Sequence, residues 1–188
     1  MKERAELLFY RVEEIHARSK LINEKIKPDL VICLHLNAAP WPDAENLSLV
    51  ERNDYHVLVN GCYMGGELAY DDQRFEMFLR LLNGWHQKEQ KLAEAMAGAF
   101  EQFTGLPAFT YKGPNALKIG QVPGVWARNL LANRKYHAPV VFLEPYVANS
   151  RKAYARLQKY LDRESGQADC LIEEYTNAVV AGLQNYCR

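Results

Sequence analysis

The sequence predicts an α/β domain in which a central, mostly parallel sheet is flanked by helices in three layers. Three observations lead there. Short, almost continuous apolar runs at 30–36 (LVICLHL), 55–60 (YHVLVN) and 139–143 (PVVFL) have the length and β-branched content of buried strands. Between and around them lie longer stretches whose apolar residues recur at spacings of three and four. The two kinds of segment alternate along the chain, which is the pattern of layered α/β structure. The 188 residues, 48% hydrophobic and 24% charged, suffice for one domain, 1–188, with a core of its own.

The elements follow in order. Residues 2–27 read as a helix, with Leu8, Val12, Ile15, Ile22 and Ile26 on one stripe, Ser19 in its gap, and Pro28-Asp29 as the stop. The first strand, 30–36, runs into a proline-marked loop, NAAPWPD. The second strand, 55–60, ends in the turn GCYMGG. Asp71 and Asp72 read as cap residues for a helix through Leu82. A further helix spans 86–103, with Leu92, Met96, Ala99 and Phe103 as its buried stripe and Gly105-Leu106-Pro107 as its end. Residues 108–125 read as loop with a short strand at 116–119, and 126–136 as a short helix. The third clear strand, 139–143, carries Glu144 at its end. Helices at 151–161 and 168–186 close the chain, the last with Ile172, Tyr175, Val179, Leu183 and Tyr186 on one face.

Several classes are excluded. Lys+Arg and Asp+Glu number 23 each, and a net charge of zero argues against a nucleic-acid partner, which calls for a clustered basic excess. No apolar run approaches the roughly 20 residues that span a bilayer. The four cysteines, Cys33, Cys62, Cys170 and Cys187, lack CxxC spacing, so a structural zinc knuckle is not expected. Cys33 reads as a small buried residue.

Two polar residues sit where apolar ones are expected. His35 interrupts the first strand near its end, and Glu144 directly follows PVVFL. Ligands of open α/β sheets gather outside the carboxyl ends of strands. A histidine and a glutamate brought there from different strands form a metal-binding and proton-transferring pair. By position alone each is as well explained by structure: a hydrogen-bonded core histidine, and an ion-pair partner after a strand.

The local strings add to this. ARSKLINEKIKPDLVICLHLNAAP resembles a segment of the zinc-dependent N-acetylmuramoyl-L-alanine amidases: R-x4-N, a spacer, then ADLFISIHANA. The match places Arg18 and Asn23 on the helix positions, His35 on a zinc-ligand position and Asn37 on the following asparagine. PVVFLEPYVANS is similar to the family's PAVLVExGFxSN, which places Glu144 on the catalytic glutamate and Asn149 on the closing asparagine. VWARN is similar to the YVLR string, which places Arg128 on its arginine. EQKLAEAMAGAFEQFTGL resembles the long helix before the family's substrate loop.

The resemblance implies cleavage of the amide between N-acetylmuramic acid and L-alanine in peptidoglycan by a zinc-activated water. His35 would be a metal ligand, Glu144 the acid/base, and Arg128 and Asn149 substrate-binding residues. It implies a periplasmic or extracellular, cell-envelope location, although no signal peptide stands at the start of this chain. The alternative it allows is an inactive relative that binds peptidoglycan or a protein partner through the same cleft.

The sequence also departs from the family. Two of the family's three zinc ligands, a histidine in a DPGHGG-type loop and a glutamate on the next helix, have no counterpart here. The domain is therefore expected to be N-terminally truncated, without the family's first strand and helix. His56, at a strand start, comes nearest to a substitute ligand, and the reading as a half-buried or surface histidine outweighs it. The segment 61–74 has no counterpart in short family members and reads as an insertion beside the site or a helix connection.

Overall fold

A computed structural model of the chain describes residues 2–42, 45, 48–161 and 171–188. The N-terminal helix is built from α1 (Lys2–Leu8) and α2 (Glu14–Leu21), joined by a π-helical turn at Phe9–Glu13 and closed by another at Ile22–Ile26. It stops where Lys27 turns left-handed (φ 51°) ahead of Pro28. Of the expected stripe, Val12, Ile15 and Ile22 are half-buried, while Leu8 and Ile26 are exposed. Ser19 is buried because its hydroxyl donates to the carbonyl of His16 at 3.0 Å. Asn23 clasps the helix to the main body: its amide donates to Lys135 O and accepts from His137 N, both at 2.8 Å.

Five strands, β1 (Val31–Leu34), β2 (Tyr55–Val59), β3 (Leu117–Lys118), β4 (Val125–Ala127) and β5 (Val140–Pro145), form one sheet in the order β1-β5-β2-β4-β3. The α/β class, with helices flanking the sheet, is as the sequence predicts. The pairing is mixed: β1 with β5 and β2 with β4 are parallel, while β5 with β2 and β4 with β3 are antiparallel. β5 enters between β1 and β2 and runs against β2. The carboxyl ends of β1 and β5 therefore meet the start of β2, and the site is assembled there.

One face of the sheet packs on α4 (Trp85–Thr104) and α7 (Leu171–Tyr186). Val57, Val59, Val125, Val141 and Leu143 meet Leu92, Met96, Phe100 and Ala178 in a single core cluster. Gly182 lets these helices touch, since a Cβ there would lie 2.6 Å from Met96 Sδ and 3.1 Å from its Cα. On the other face Leu58, Trp126 and Phe142 pack under Tyr111, Leu130 and Ala132.

The residues 126–136, expected as a helix, divide differently. Val125–Ala127 is a strand, buried on both faces between β2 and β3, and only α5 (Leu131–Arg134) is helical. Strand pairing in the sheet interior outweighs local helix propensity for Val125-Trp126-Ala127.

Helix α3 (Asp71–Leu82) turns its polar side inward. Glu76 meets Arg134 Nε and Lys135 Nζ, each at 2.5 Å, and Arg80 pairs with the buried Glu89 of α4. Glu89 also accepts the Val140 N–H at 2.8 Å, so the same carboxylate fixes the first residue of β5. Asp71 and Asp72 lie in the first turn rather than at the N-cap, which is Tyr70 and makes no side-chain cap bond. The final helices are α6 (Arg151–Leu161) and α7; the expected start of the last helix at 168, and Cys170, lie outside the described residues.

Candidate active site

The sheet register puts three polar side chains in one row. His56 stands opposite Glu144 in the antiparallel β2–β5 pair. Leu34 pairs with Leu143 in the parallel β1–β5 pair, so His35 follows beside Glu144 on its other flank. Side chains of residues level across adjacent strands share a face. His35, Glu144 and His56 accordingly meet: His35 Nδ1 is 3.3 Å from Glu144 Oε1, and His56 Nε2 bonds Glu144 Oε2. The two residues that the sequence singles out are thus neighbours, and a third, His56, is drawn in by the strand that runs against them.

The three differ in exposure. His56 is fully buried, the Glu144 side chain is 13% exposed and that of His35 56% exposed. Burial pushes the Glu144 carboxyl up, but the hydrogen bonds from His35 and His56, reinforced by their charge, outweigh it and hold the group at about 2. The same bond to Glu144 raises His35 above its ordinary value. The outcome is a firmly ionised carboxylate, gripped on one oxygen by a buried imidazole and on the other by one that faces solvent.

The surroundings hold this row in place. The Tyr175 hydroxyl of α7 donates to His35 O and accepts the His35 N–H, each at 3.2 Å, while His35 N also donates to Leu143 O at 3.0 Å. Directly after Glu144-Pro145, Tyr146 adopts a left-handed conformation (φ 66°), uncommon for a residue with a side chain. It turns the chain sharply, and the loops after β1 and β5 then zip together through Asn37 N to Tyr146 O (3.0 Å) and Ala148 N to Asn37 O (2.7 Å).

Asn149 belongs to that seam. It is buried, and its amide donates to Ala39 O at 2.8 Å and accepts from Ala39 N at 2.9 Å. Both ends of the side chain are thereby committed to the loop after β1.

Arg128 follows β4 and reaches the row indirectly. Its Nη1 lies 3.5 Å from the Tyr111 hydroxyl, and its guanidinium carbon lies 5.5 Å from the Tyr111 ring centre. Tyr111 OH in turn is 3.1 Å from His56 Nε2. The His56 ring packs against Phe109 and Tyr111, with centroids 5.4 Å away in each case. These rings arrive on the segment that runs alongside β2, where Tyr55 N donates to Pro107 O and Phe109 N to Tyr55 O. His56 and Tyr111 are what sequence reasoning underrated. For His56 the available signal was a histidine within the apolar run YHVLVN; Tyr111, in a loop without a motif, offered none.

A cleft of about 530 Å³ opens beside His35, between the N-terminal helix and β1, lined by Tyr10, Ile15, Arg18, Ile22, Cys33 and Phe142 among others. β1 is the outer strand on this side, and Leu34 is 64% exposed. As they stand, these residues do not fit a zinc ion. Both oxygens of Glu144 are occupied by imidazole nitrogens, and among the described residues no three His, Cys, Asp or Glu side chains are placed to hold a metal. A single imidazole, His35, supplies too few donors.

No family model matches the sequence, and no curated protein does. Solved structures do match its fold. The N-acetylmuramyl-L-alanine amidase Ami1 from Mycobacterium smegmatis has a TM-score of 0.54 at 17% identity, over 92% of this chain and 59% of that one. The apo form of Ami1 from Mycobacterium abscessus has a TM-score of 0.53 at 18% identity, over 93% and 61%. The CwlD amidase from Clostridioides difficile, solved in complex with the GerS lipoprotein, has a TM-score of 0.52 at 12% identity, over 90% and 59%. The chain spans about three fifths of the length of these relatives. The match over 90% or more of this chain gives it the fold of these N-acetylmuramyl-L-alanine amidases.

Proposed function

We propose that this chain is an amidase-like hydrolase acting on the bond between N-acetylmuramic acid and L-alanine of peptidoglycan, in the cell envelope or outside the cell. The observation that carries the proposal is the row His35–Glu144–His56 at the carboxyl ends of β1 and β5, set in an amidase fold. Among the described residues no helix is long and apolar enough to cross a membrane.

In this reading Glu144 is the acid/base. It takes a proton from the attacking water as the oxygen–carbon bond forms, and gives it to the amide nitrogen as the carbon–nitrogen bond breaks. His56 holds one carboxylate oxygen fixed. His35, half exposed, holds the other oxygen, and that oxygen serves as the base for water once this bond is released. Arg128 acts on the substrate side through Tyr111, and Asn149 acts by holding the loop after β1 against the loop after β5.

The family resemblance also brings zinc, with His35 as one donor. Since the described donors do not make a metal centre, no step here is routed through the ion. We propose that a further strand pairs with the outer edge of β1 and supplies the remaining donors. The unpaired edge, the exposed Leu34 and the greater length of the solved relatives support this reading. The test is digestion of purified peptidoglycan, with and without added zinc, followed by mass spectrometry. The expected products are glycan strands with free N-acetylmuramic acid and stem peptides with a free L-alanine amine. Cleavage at another bond, or none, contradicts the proposal.

A further inference from the structure

A proton count around His56 identifies another group at the site. Among the described residues, the buried His56 Nδ1 has no hydrogen-bond partner. A buried N–H left unpaired costs more than a buried lone pair on an aromatic nitrogen, so of the two ring nitrogens it is Nε2, which has a partner, that carries a proton. That placement also lets the Nε2–H donate to the Glu144 oxygen it faces.

The consequence falls on Tyr111. Its hydroxyl oxygen lies 3.1 Å from His56 Nε2, but a protonated Nε2 has no lone pair to receive the phenol proton. On its other side the oxygen faces Arg128 Nη1 at 3.5 Å, which is a donor only. Neither of these neighbours can accept from Tyr111, so its own O–H is directed at neither. Burial pushes the phenol up from its ordinary value, so it keeps that proton at neutral pH. Tyr111 and Arg128 are both half-buried, whereas His56, against which the Tyr111 ring packs, is fully buried.

We infer that Tyr111 is a catalytic residue: its phenol O–H donates to the carbonyl oxygen of the scissile amide and stabilises the negative charge that develops there as water, deprotonated by Glu144, attacks. The inference rests on the hydrolytic reading above. No proton leaves Tyr111; it remains a hydrogen-bond donor while the water proton travels through Glu144 to the departing amine. Arg128, donating to the phenol oxygen, polarises the O–H and makes it a stronger donor, and this gives the VWARN arginine a task without direct contact with the carboxylate row.

The test is Tyr111→Phe, which removes the hydroxyl and keeps the ring that packs on His56 and Trp126. In peptidoglycan digestion the variant should lose roughly 10²–10³-fold in kcat with KM within about 2-fold, the size expected for one oxyanion donor. A second measurement works without any activity. Long-range ¹H–¹⁵N spectra of the wild type should show His56 protonated on Nε2, unchanged in Tyr111→Phe and altered in Glu144→Gln. Wild-type turnover that survives Tyr111→Phe overturns the inference alone. A His56 proton found on Nδ1 overturns it too, since the phenol would then donate to Nε2. A wild-type chain without activity but with the Nε2 proton refutes the hydrolytic reading, and the inference with it, while leaving the hydrogen-bond assignment in place.

Discussion

Replacing Glu144 by Ala should destabilise the protein by an amount that the His56 contact sets. His56 is fully buried, its Nδ1 already has no partner among the described residues, and its Nε2–H is spent on Glu144. Removing the carboxylate costs the bond to an ionised acceptor and leaves that buried N–H facing the Tyr111 oxygen at 3.1 Å, a loss of about 1–3 kcal/mol. For a domain of this size, each kcal/mol corresponds to about 2–4 °C, so Tm should fall by roughly 2–12 °C. Glu144→Gln should behave differently: its amide oxygen can accept from His56 while its NH₂ faces His35, and stability should stay within about 1 kcal/mol of wild type. Adding His56→Leu to Glu144→Ala removes the stranded N–H, and the pair should cost less than the sum of the single changes. The assay is thermal and urea unfolding of the four proteins. Equal stability of Glu144→Ala and wild type would refute the reasoning, because no buried imidazole could then depend on that carboxylate.

Three other expectations follow from the same packing. Glu89→Ala should cost about 3–5 kcal/mol in urea unfolding, since it strands the buried Arg80 guanidinium and the Val140 N–H; replacing both Arg80 and Glu89 by apolar residues should recover most of the loss. Burial pushes the Cys33 thiol up to about 11, whereas Cys187 is exposed, so peptide mass spectrometry after alkylation at pH 8 should show Cys187 modified well before Cys33. Asn149→Ala should lower stability by about 1–3 kcal/mol through the two lost bonds to Ala39, and a proteolysis time course should show earlier cleavage in the loop after β1.

The apolar runs announced β1, β2 and β5, and with them the places of His35 and Glu144. Two polar residues at the ends of otherwise apolar strands point to a site because burial there needs a reason. What the runs do not encode is direction. Nothing local says that β5 lies antiparallel to β2, and it is this pairing that brings His56 under Glu144. A strand-start histidine reads as half-buried until the sheet order shows it enclosed by Phe109, Tyr111 and Glu144. Tyr111 was hidden for a related reason: its loop has no periodicity, and it is placed by backbone bonds to Tyr55, more than fifty residues earlier. Val125-Trp126-Ala127 misled because three residues are too few to show a period, and their strand form depends wholly on neighbours at β2 and β3. Asn149 illustrates a motif residue whose position was legible and whose contacts were not: its amide is closed on Ala39.

The central claim is that the carboxylate of Glu144, held between two imidazoles, moves the proton in amide hydrolysis. The most direct measurement is the rate at which wild type and Glu144→Gln release L-alanine amino termini from purified peptidoglycan, at equal fold stability. The wild type should release them, and the variant should lose roughly 10²-fold or more, the range expected for a positioned acid/base. Equal rates for the two proteins would contradict that claim.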